Sequence, residues 1–501
     1  MFDIKFTSDL KAADLTILLF FEDKIDKAYY EAFDDKCGGT VSKILSNKKL
    51  FDAKFAKSRN ITYVDGDNLK YITLIGLGKE DDLKAHQLVE IGGKIASTAN
   101  CLRSKIVSVD GNISFKNFAP KEGQFGAFIA GGAHLASYRF DKYKTGLKDE
   151  DKPALSKLNI MLQDVESAEK RYKEVEAIVS GIFLARDVIS EPPNVLYPES
   201  YANIIEEELS PLGIKVTVLG ESEMRELGMG ALLGVGQGSA KESKLVVMEY
   251  YGADTKHEAP VAFVGKGVTF DTGGISIKPS AGMADMKYDM AGSAAVVGAL
   301  KAIAMRRGKA NVIGVVGLVE NMPGGNAQRP GDVVKTMSGK TAEVLDTDAE
   351  GRLVLADALW YTQDKFKPKI MVNLATLTGA ITVALGSTYA GIFSNNDTLV
   401  ENLTKTGCKV NEKLWRMPLH KDYDDMIKSD IADIANLGNV RGAAGSSTAA
   451  QFLQHFVNNV HWAHLDIAAM AWEKKGTHIT PKGAVGFGVR LLNQLVKDCY
   501  E

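Results

Sequence analysis

Cysteine is scarce in this 501-residue chain, which contains Cys37, Cys101, Cys408 and Cys499. The four residues are far apart in sequence and form no CxxC pair. This spacing argues against a disulfide framework and against a cysteine-rich zinc site. We therefore expect a reduced intracellular protein, located in the cytoplasm.

Histidine is also sparse, and several catalytic signatures are missing. The eight histidines form no HExxH motif, and no GxSxG sequence is present. His461 and His464 are three residues apart, but the apolar residues around them indicate a core segment rather than a pair of metal ligands. Neither a histidine-based zinc protease nor a serine hydrolase of the nucleophile-elbow type is predicted.

The chain lacks a strong charge of either sign. Its net charge is -3 and its pI is about 6.3. No overall basic field is available to attract nucleic acid or a membrane surface. We expect neither as a partner.

Two apolar stretches require a check for targeting or membrane insertion. Leu15–Phe21 is flanked by acidic residues and has no basic segment before it, so it indicates a buried strand rather than a signal peptide. Residues 370–396 are uncharged and long enough to span a bilayer. However, Asn373 lies within this stretch, and Thr376-Leu377-Thr378-Gly379 is typical of a loop between a strand and a helix. We predict a folded α/β segment here.

Strand-like and helix-like segments alternate along the whole chain, which predicts an α/β protein. The length and the 45% hydrophobic content suffice for two domains. We predict an N-terminal domain over residues 1–165, a linker helix over 166–197 and a larger C-terminal catalytic domain over 198–501. Charge density rises between Lys142 and Glu176, which indicates a linker or an exposed connector.

Two acidic stretches in the C-terminal part are the candidates for a functional site. The first is Asp348-Ala349-Glu350-Gly351-Arg352, where residues two apart would face one side if the segment were extended. The second is the glycine-rich run Gly265–Lys278, followed by Asp289 before a predicted helix. Residues at the carboxyl ends of neighbouring strands lie at one edge of a sheet.

Four carboxylates at one sheet edge would repel one another unless cations neutralise them. Hard oxygen ligands in that number suit two divalent ions that share bridging carboxylates. The inference requires the four side chains to converge in space. They are Asp271, Asp289, Asp348 and Glu350.

The residues Asp346–Leu353 closely resemble the signature of the leucyl aminopeptidase (cytosol aminopeptidase) family. The resemblance extends to further blocks along the chain, densely in the C-terminal part and thinly in the N-terminal part. These blocks are Tyr138–Asp141, Pro193-Asn194, Gly265–Lys278, Asn321–Pro323, Gly325–Asp332, Ala375–Gly379 and Trp462–Ala468.

The family resemblance implies a role for each matching position. Asp271 and Glu350 match the carboxylates that bridge two metal ions, Mn²⁺ or Zn²⁺, and Lys266 and Asp289 match ligands of the tighter-binding metal. Asp348 completes the ligand set. The two catalytic residues that do not bind metal correspond to Lys278, which would stabilise the oxyanion, and Arg352, which would hold a bicarbonate ion. Substrate-binding positions correspond to Met286, Thr376, Leu377 and Gly379.

The resemblance also implies the fold and the activity. We expect a smaller, macro-like N-terminal α/β domain and a catalytic α/β/α domain with a mixed sheet. The enzyme would use a water activated by two metals to remove N-terminal leucine and other bulky apolar residues from peptides. It would assemble as a homohexamer.

Two positions depart from the family pattern. Asp346 stands where asparagine is usual, which adds negative charge beside the predicted metal loop. Ala469 stands where glycine is common, which narrows the expected substrate pocket.

Two alternatives remain open at this point. One is a dipeptidase specialised for cysteinylglycine. The other is an additional DNA-binding regulatory role, as some family members have, carried by lysine-rich segments such as Ser46–Lys49 and Lys54–Arg59. The net charge favours a solvated surface for these lysines.

Overall fold

The structure is a computed structural model, and it describes residues 2–116, 118, 120–255, 258–440 and 442–501. The chain forms two compact units. One comprises Met1–Val179 with Lys475–Lys482, and the other comprises Ser180–Lys474 with Gly483–Glu501. The boundary at Val179 falls within a helix, Val165–Ser190.

The described part of the N-terminal unit contains a six-stranded sheet in the order β1-β6-β5-β2-β4-β3. Only β3 is antiparallel to its neighbour, and the other pairs are parallel. The strands are β1 (Asp3–Thr7), β2 (Leu15–Phe21), β3 (Ser58–Asp65), β4 (Asn68–Gly78), β5 (Ile106–Asp110) and β6 (Lys157–Met161). The helices are α1 (Lys27–Lys36), α2 (Thr40–Leu45), α3 (Ala85–Cys101), α4 (Gln124–Ala136) and α5 (Val165–Ser190), with 3-10 turns at Glu80–Asp82 and Asp149–Asp151.

Strand β2 is buried along its whole length, which explains its continuous apolar sequence. Leu18 and Phe20 on one face pack with α1 and α2. Ile17 and Leu19 on the other face pack with α3 and α4. The N-terminal sheet is therefore covered on both faces.

The segment Lys142–Glu176, predicted as a linker or exposed connector, contains β6 and the beginning of α5. Strand β6 pairs with both β1 and β5, and its Leu158 and Ile160 are fully buried. The charged residues that flank this short strand made it hard to recognise in the sequence. The prediction of a linker or exposed connector is therefore wrong for Lys157–Met161.

The larger unit is built on an eight-stranded mixed sheet in the order β15-β14-β17-β13-β9-β10-β8-β7, within the ranges that the structure covers. Its centre, β17-β13-β9-β10, is parallel, and β8 and β14 run antiparallel to their inner neighbours. Its strands are β7 (Lys215–Leu219), β8 (Lys244–Tyr251), β9 (Val261–Asp271), β10 (Asn311–Asn321), β13 (Ile370–Ala375), β14 (Ala390–Ser394), β15 (Leu414–Arg416) and β17 (His461–Asp466). Two small sheets join β11 (Val333–Lys335), β12 (Thr341–Glu343) and β16 (Ile434–Ala435), and β18 (Trp472–Glu473) and β19 (Gly483–Ala484).

Helices cover this second sheet, and the predicted two-domain α/β class with a mixed C-terminal sheet is confirmed. They are α6 (Pro198–Leu209), α7 (Glu221–Glu226), α8 (Gly230–Gly236), α9 (Ala291–Met305), α10 (Gly351–Phe366), α11 (Gly379–Leu385), α12 (Asp397–Val410), α13 (Lys421–Met426), α14 (Gly445–Gln454) and α15 (Val489–Cys499), with 3-10 helices at Ser210–Leu212 and Met283–Tyr288.

Helix α9 packs unusually close to the centre of the sheet. It consists mainly of small apolar residues, and nearly all of them are buried. A Cβ atom at Gly265 of β9 would lie 2.5 Å from the Cα atom of Ser293, so glycine is required for this approach. The close packing brings Asp289, just before α9, to the side chains of β9.

The uncharged stretch 370–396 folds as β13, α11 and β14. All six residues of β13 and all five of β14 are buried within the sheet. Among the helices described, none combines the length and the apolar character that crossing a membrane demands.

Candidate metal centre

Three of the predicted acidic residues meet at the carboxyl end of β9. One carboxylate oxygen from each of Asp271, Asp348 and Glu350 lies within 4.8 Å of the others. Asp271 is the last residue of β9, and the other two lie in the loop that precedes α10. Three of the four carboxylates in the sequence argument therefore converge, and the fourth, Asp289, is linked to Glu350 through Lys266.

A β-bulge puts Lys266 and Asp271 on the same side of β9. The two residues are five apart, so a regular strand would direct their side chains to opposite faces. The register with β10 shifts by one residue, because Val319 and Glu320 of β10 face Val268 and Phe270 of β9. An extra residue of this kind re-aims the side chains that follow it. The bulge thereby directs Asp271 into the site.

Lys266 lies at the buried end of the cluster and is 2% exposed. Its Nζ atom is 2.8 Å from Glu350 Oε1, 2.8 Å from Asp289 Oδ2 and 3.0 Å from the carbonyl oxygen of Thr376. Burial opposes its positive charge, but the carboxylates of Asp289, Glu350 and Asp271 together raise its pKa above the ordinary value. Lys266 is therefore a paired ammonium group in this arrangement.

Gly351 leaves the space that Lys266 occupies. A Cβ atom at position 351 would lie 2.7 Å from Cδ, Cε and Nζ of the lysine. Glycine is therefore needed at this position of the Asp-Ala-Glu-Gly-Arg sequence, because α10 begins in direct contact with the Lys266 side chain.

Asp271 is held by neutral donors on one oxygen and by a cation on the other. Its Oδ1 accepts hydrogen bonds from the Gly273 amide at 2.9 Å and from Asn321 Nδ2 at 2.8 Å. Its Oδ2 is 2.7 Å from Lys278 Nζ. Asn321 also donates to the carbonyl oxygen of Thr347 at 3.0 Å, so it ties β10 to the acidic loop.

Lys278 lies on the open side of the cluster, with 20% of its side chain exposed. It pairs with Asp348 as well as with Asp271. Burial disfavours its charge, but the surrounding carboxylates outweigh that effect and raise its pKa above the ordinary value. Lys278 is consequently a cation that borders both the acidic cluster and solvent.

Burial and mutual repulsion make the ionised form of these carboxyl groups unfavourable. Burial, followed by repulsion from Asp271, raises the pKa of Asp348 to about 7 and raises that of Glu350. Burial also raises the pKa of Asp289 well above its ordinary value. Two lysines therefore leave the cluster with less positive charge than it can accept.

The acidic loop is not extended, contrary to the geometry assumed from the sequence. Strand β12 ends at Glu343, and the Ala349 amide bonds to the Asp346 carbonyl at 3.2 Å in a turn. The Asp346 carboxylate accepts a hydrogen bond from the Asp348 amide at 2.9 Å. Asp348 and Glu350 therefore converge because the chain turns between them and β12. The hydrogen bond between the Asp346 carboxylate and the Asp348 amide stabilises this turn.

Arg352 lies in the first turn of α10 and is 5% exposed. Its Nη1 atom donates to the Asn436 carbonyl at 2.6 Å, while Nε has no hydrogen-bond partner among the described residues. Burial lowers the pKa of Arg352 to about 10, so the side chain stays charged at neutral pH.

Two of the predicted substrate-binding residues are tied to the cluster or to a buried acid. Thr376 Oγ1 donates to Asp289 Oδ1 at 2.7 Å. The Leu377 amide donates to Asp466 Oδ1 at 3.2 Å. Met286 lies in the 3-10 helix three residues before Asp289, and Gly379 is the exposed first residue of α11. The Met286 carbonyl accepts a hydrogen bond from the Asp289 amide at 3.3 Å, whereas no hydrogen bond joins Gly379 to the cluster among the described residues.

Three supporting residues were not predicted as site residues. Asn321 anchors Asp271, and Asp466 accepts bonds from the segment after β13. Asn436 fixes the acidic loop, because its side chain accepts from the Leu345 amide at 2.8 Å and donates to the Asp346 carbonyl at 2.7 Å. Asn321 and Asp466 occur in sequence blocks that resemble the family, and this resemblance could have identified them as site residues. Asn436 lies in none of them.

His461 and His464 lie on β17, which is buried as expected for a core segment except at its first residue, His461, which is exposed. The His464 ring is fully buried, stacks on Phe393 and is 2.9 Å from the Asn373 side chain. Burial lowers its pKa to about 3, so it is neutral. Neither histidine belongs to the carboxylate cluster that the described residues form.

Comparison with known proteins places these features in a family. The model of the cytosol aminopeptidase family catalytic domain matches residues 183–493, and the model of the N-terminal domain of the same family matches residues 17–146. A probable cytosol aminopeptidase of Rickettsia bellii is 52% identical over the full length of both chains. One of Rickettsia felis is 51% identical and covers 99% of this chain and 100% of its own.

Solved structures agree with this assignment. The bottromycin maturation enzyme BotP in complex with Mn has a TM-score of 0.84 and 30% sequence identity, covering 98% of this chain and 100% of BotP. Both domains of the chain match those of one family, and its relatives match over their entire length. The protein therefore belongs to the cytosol aminopeptidase family and is a hydrolase that removes amino acids from the N-termini of peptides.

Proposed function

We propose that this enzyme is a metal-dependent aminopeptidase that prefers leucine and other bulky apolar residues at the N-terminus. The observation that carries the proposal is the convergence of Asp271, Asp348 and Glu350 within 4.8 Å, with Lys266 and Asp289 directly beside them.

The donor set fits two divalent ions. Carboxylate oxygens and a lysine amine surround one small volume, and Glu350 Oε2 is buried without a hydrogen-bond partner among the described residues. Mn²⁺ and Zn²⁺ both accept such ligands. The residues that would hold the ions are Lys266, Asp271, Asp289, Asp348 and Glu350. The Mn bound by BotP supports this choice.

When bound, two divalent ions supply Lewis acidity and lower the pKa of a coordinated water molecule. The chain then has to provide a neutral Lys266 amine, and a nearby dication favours loss of its proton. The bound ions would also offer a ligand position to the free α-amino group of a peptide. Internal residues lack this group, so the site would favour N-terminal residues.

Lys278 is suited to stabilise negative charge on the substrate carbonyl oxygen. Its side chain reaches the cluster and is still accessible from solvent, and its raised pKa keeps the ammonium group protonated. A positioned cation of this kind stabilises an oxyanion as it develops. We assign Lys278 as a catalytic residue.

Arg352 is suited to hold a bicarbonate ion. The guanidinium is buried and charged, and its Nε–H group has no protein acceptor in the described chain. A bicarbonate there would supply a proton acceptor that this chain does not offer as a histidine. The kcat of the parent enzyme should fall in carbonate-free buffer and recover with added bicarbonate, whereas Arg352→Ala should not respond.

The substrate side chain would lie near Met286, Thr376, Leu377 and Gly379. Gly379 leaves open space, since a Cβ atom there would meet no atom within 4 Å. The apolar Met286 and Leu377 favour an apolar residue. Cysteinylglycine remains the alternative substrate.

We further propose a cytoplasmic homohexamer. The four cysteines are free, as a reducing compartment requires. Sedimentation velocity should give the mass of six chains of 54.2 kDa each. A monomeric or dimeric mass at micromolar concentration would contradict the assembly.

The decisive experiment combines metal analysis with a substrate panel. Protein loaded with Mn²⁺ or Zn²⁺ should bind two ions per chain and hydrolyse leucyl 4-nitroanilide. It should fail on the N-acetylated analogue, which has no free ammonium group. Removal of the ions with a chelator should abolish activity, and their return should restore it.

The same panel tests specificity. Leucyl and methionyl amides should exceed glycyl and aspartyl amides in kcat/KM. A kcat/KM for cysteinylglycine above all leucyl substrates would establish the dipeptidase alternative instead. Full activity in metal-free protein would refute the metal assignment.

A further inference from the structure

A cavity of about 300 Å³ lies in the N-terminal unit, at the carboxyl ends of three parallel strands. Its lining includes the last residue of β2 (Phe21), of β5 (Asp110) and of β6 (Met161). This volume is at the lower end of the ~300–1,000 Å³ typical of small-molecule sites. The lining residues all belong to the N-terminal unit, so the cavity is separate from the metal centre.

The cavity lies at a topological switch point of the sheet. Strands β2 and β5 are neighbours, but the chain leaves them in opposite directions, from β2 towards β3 and β4 and from β5 towards β6. The helix after β2 packs on one face, and the helix after β5 packs on the other. In open α/β sheets, ligands bind in the crevice that such a divergence leaves.

The two strands also separate at this end. Their pairing stops at Leu18 and Asp110. Beyond it, the Tyr29 hydroxyl accepts a hydrogen bond from the Leu19 amide at 3.1 Å and donates one to the Asp110 carbonyl at 2.8 Å. One side chain thus satisfies the backbone groups that the missing pairing would leave exposed. The crevice is built into the fold.

The chemistry of the cavity is that of a receptor for a zwitterion. Asp110 is 5% exposed, and its Oδ1 accepts one hydrogen bond, from the Asn112 amide at 3.0 Å. Burial raises the pKa of this carboxyl, and no lysine, arginine or histidine pairs with it among the residues described. A buried carboxylate without a cation is unfavourable, and a ligand ammonium group would relieve that cost.

The opposite charge and an apolar wall complete the site. Lys24 lines the same cavity, and its Nζ atom donates to the Ser114 carbonyl at 2.9 Å, which leaves further N–H groups for an anion. Phe21, Ile113 and Met161 provide apolar surface.

We propose that this cavity binds a free apolar L-α-amino acid, the class of molecule that the enzyme releases. The amino acid places its ammonium group on Asp110, its carboxylate on Lys24 and its side chain against the apolar wall. The proposal uses only the aminopeptidase activity of the family, and it holds whichever residues bind the catalytic metals.

Photoaffinity labelling locates such a ligand directly. Full-length, metal-loaded protein is irradiated with photo-leucine, and the labelled peptides are identified by mass spectrometry. We expect labels in residues 19–29 and 110–114, in addition to labels in the catalytic unit. Excess L-leucine should suppress them. An equal concentration of 4-methylpentanoate, which has the same side chain and no ammonium group, should not suppress the labels.

Variants separate the cavity from the active site. Asp110→Asn should weaken labelling of these segments at least tenfold, and Ala28→Trp should do the same by filling the cavity from an exposed lining position. Asp34→Asn is the matched control, because Asp34 also accepts an amide hydrogen bond, from Ser42 at 3.0 Å, and lies outside the cavity lining. All three should hydrolyse leucyl 4-nitroanilide as the parent does, which verifies folding.

Three results would overturn the proposal. They are the absence of label in both segments, labelling that neither Asp110→Asn nor Ala28→Trp reduces, and competition by 4-methylpentanoate equal to that by L-leucine.

Discussion

The two units place charged side chains at the same position in their sheets but balance the charge differently. At the end of β9, three clustered carboxylates and Asp289 have two lysines among them. At the end of β5, Asp110 has one amide donor and no cationic partner in the described chain. Strand ends collect polar groups in both sheets, and the local supply of cations decides what each site can accept. The first suits metal ions, and the second suits an ammonium group.

The largest expected effect comes from removing a carboxylate of the first site. Glu350→Ala takes away a partner of Lys266 and one member of the three-carboxylate cluster. Hydrolysis of leucyl 4-nitroanilide should fall below detection, and the bound divalent ions measured by mass spectrometry should fall with it. Asp110→Asn should leave kcat/KM within twofold of the parent. Similar losses in both variants would mean that the two sites are not independent.

The second effect separates metal binding from chemistry within the first site. Lys278→Ala should lower kcat by about 10²–10³, the cost of losing one oxyanion donor, while two ions per chain remain. Lys428→Ala removes an exposed, ion-paired lysine of the same unit and should change nothing. Loss of the ions from Lys278→Ala would show that this lysine maintains the metal site instead of acting on substrate.

A third variant tests how much the support around the carboxylates contributes. Asn321→Ala removes the amide that orients Asp271 and the acidic loop. Metal affinity should fall about 10–100-fold, as for other residues that orient ligands. Competition with a metal indicator measures this. Asn47→Ala is the control, because Asn47 is exposed and belongs to the N-terminal unit. An affinity of Asn321→Ala equal to that of the control would show that Asp271 needs no such support.

A smaller effect is expected from crowding Lys266. Gly351→Ala introduces a Cβ atom 2.7 Å from the lysine side chain, and overpacking of this kind costs about 1–3 kcal/mol. The melting temperature and the metal affinity should both decrease. Gly325→Ala is the matched control, because a Cβ atom there meets no atom within 4 Å. Equal behaviour of the two variants would remove the steric explanation for Gly351.

The last expected effect concerns stability alone and another buried carboxylate, Asp357, which has no cationic partner among the described residues. Asp357 accepts bonds from the Leu232 and Met337 amides at 2.9 and 2.8 Å, and burial raises its pKa from 3.8 to about 7. Its folded state thus binds a proton more strongly than its unfolded state. The resulting stability is fully present below about pH 4 and is lost as the pH rises to about 7.

The melting temperature of the parent, measured relative to that of Asp357→Asn, should therefore decrease between pH 4 and pH 7 and be constant above it. A difference that does not change with pH would contradict the raised pKa. Such a result would show that amide donors alone suffice to compensate a buried carboxylate, and Asp110 would then need no ammonium partner.

Much of the candidate metal centre was predictable, because its acidic residues occur in short, recognisable sequence patterns. The spacing of Asp348, Glu350 and Arg352 and the glycine-rich run before Lys278 carried the signal. The extended conformation assumed for the acidic loop was wrong, because a turn through Asp346 produces the same convergence by another route. Asn436 was missed because it comes from a segment about ninety residues away in sequence and contributes a single amide.

The N-terminal unit shows the opposite case. Its buried strand β2 was evident from seven consecutive apolar residues, whereas β6 was hidden between charged flanks. Nothing in the residues around Asp110 distinguishes it from an ordinary acid at a strand end. Its significance depends on the order of the strands and on the separation of β2 from β5.

By itself, the sequence determined the α/β class, the division into two α/β domains and the four acids of the candidate metal centre. Periodicity and residue type suffice for these, because they depend on neighbours along the chain. Lys266 and Lys278 were assigned through the resemblance of their motifs to those of the family. Tertiary structure alone decided which charges meet. The bulge in β9 brings Lys266 and Asp271 to one face, and the switch between β2 and β5 opens a cavity beside Asp110. Both depend on pairing between distant strands, since register and strand order are set by packing of the whole sheet.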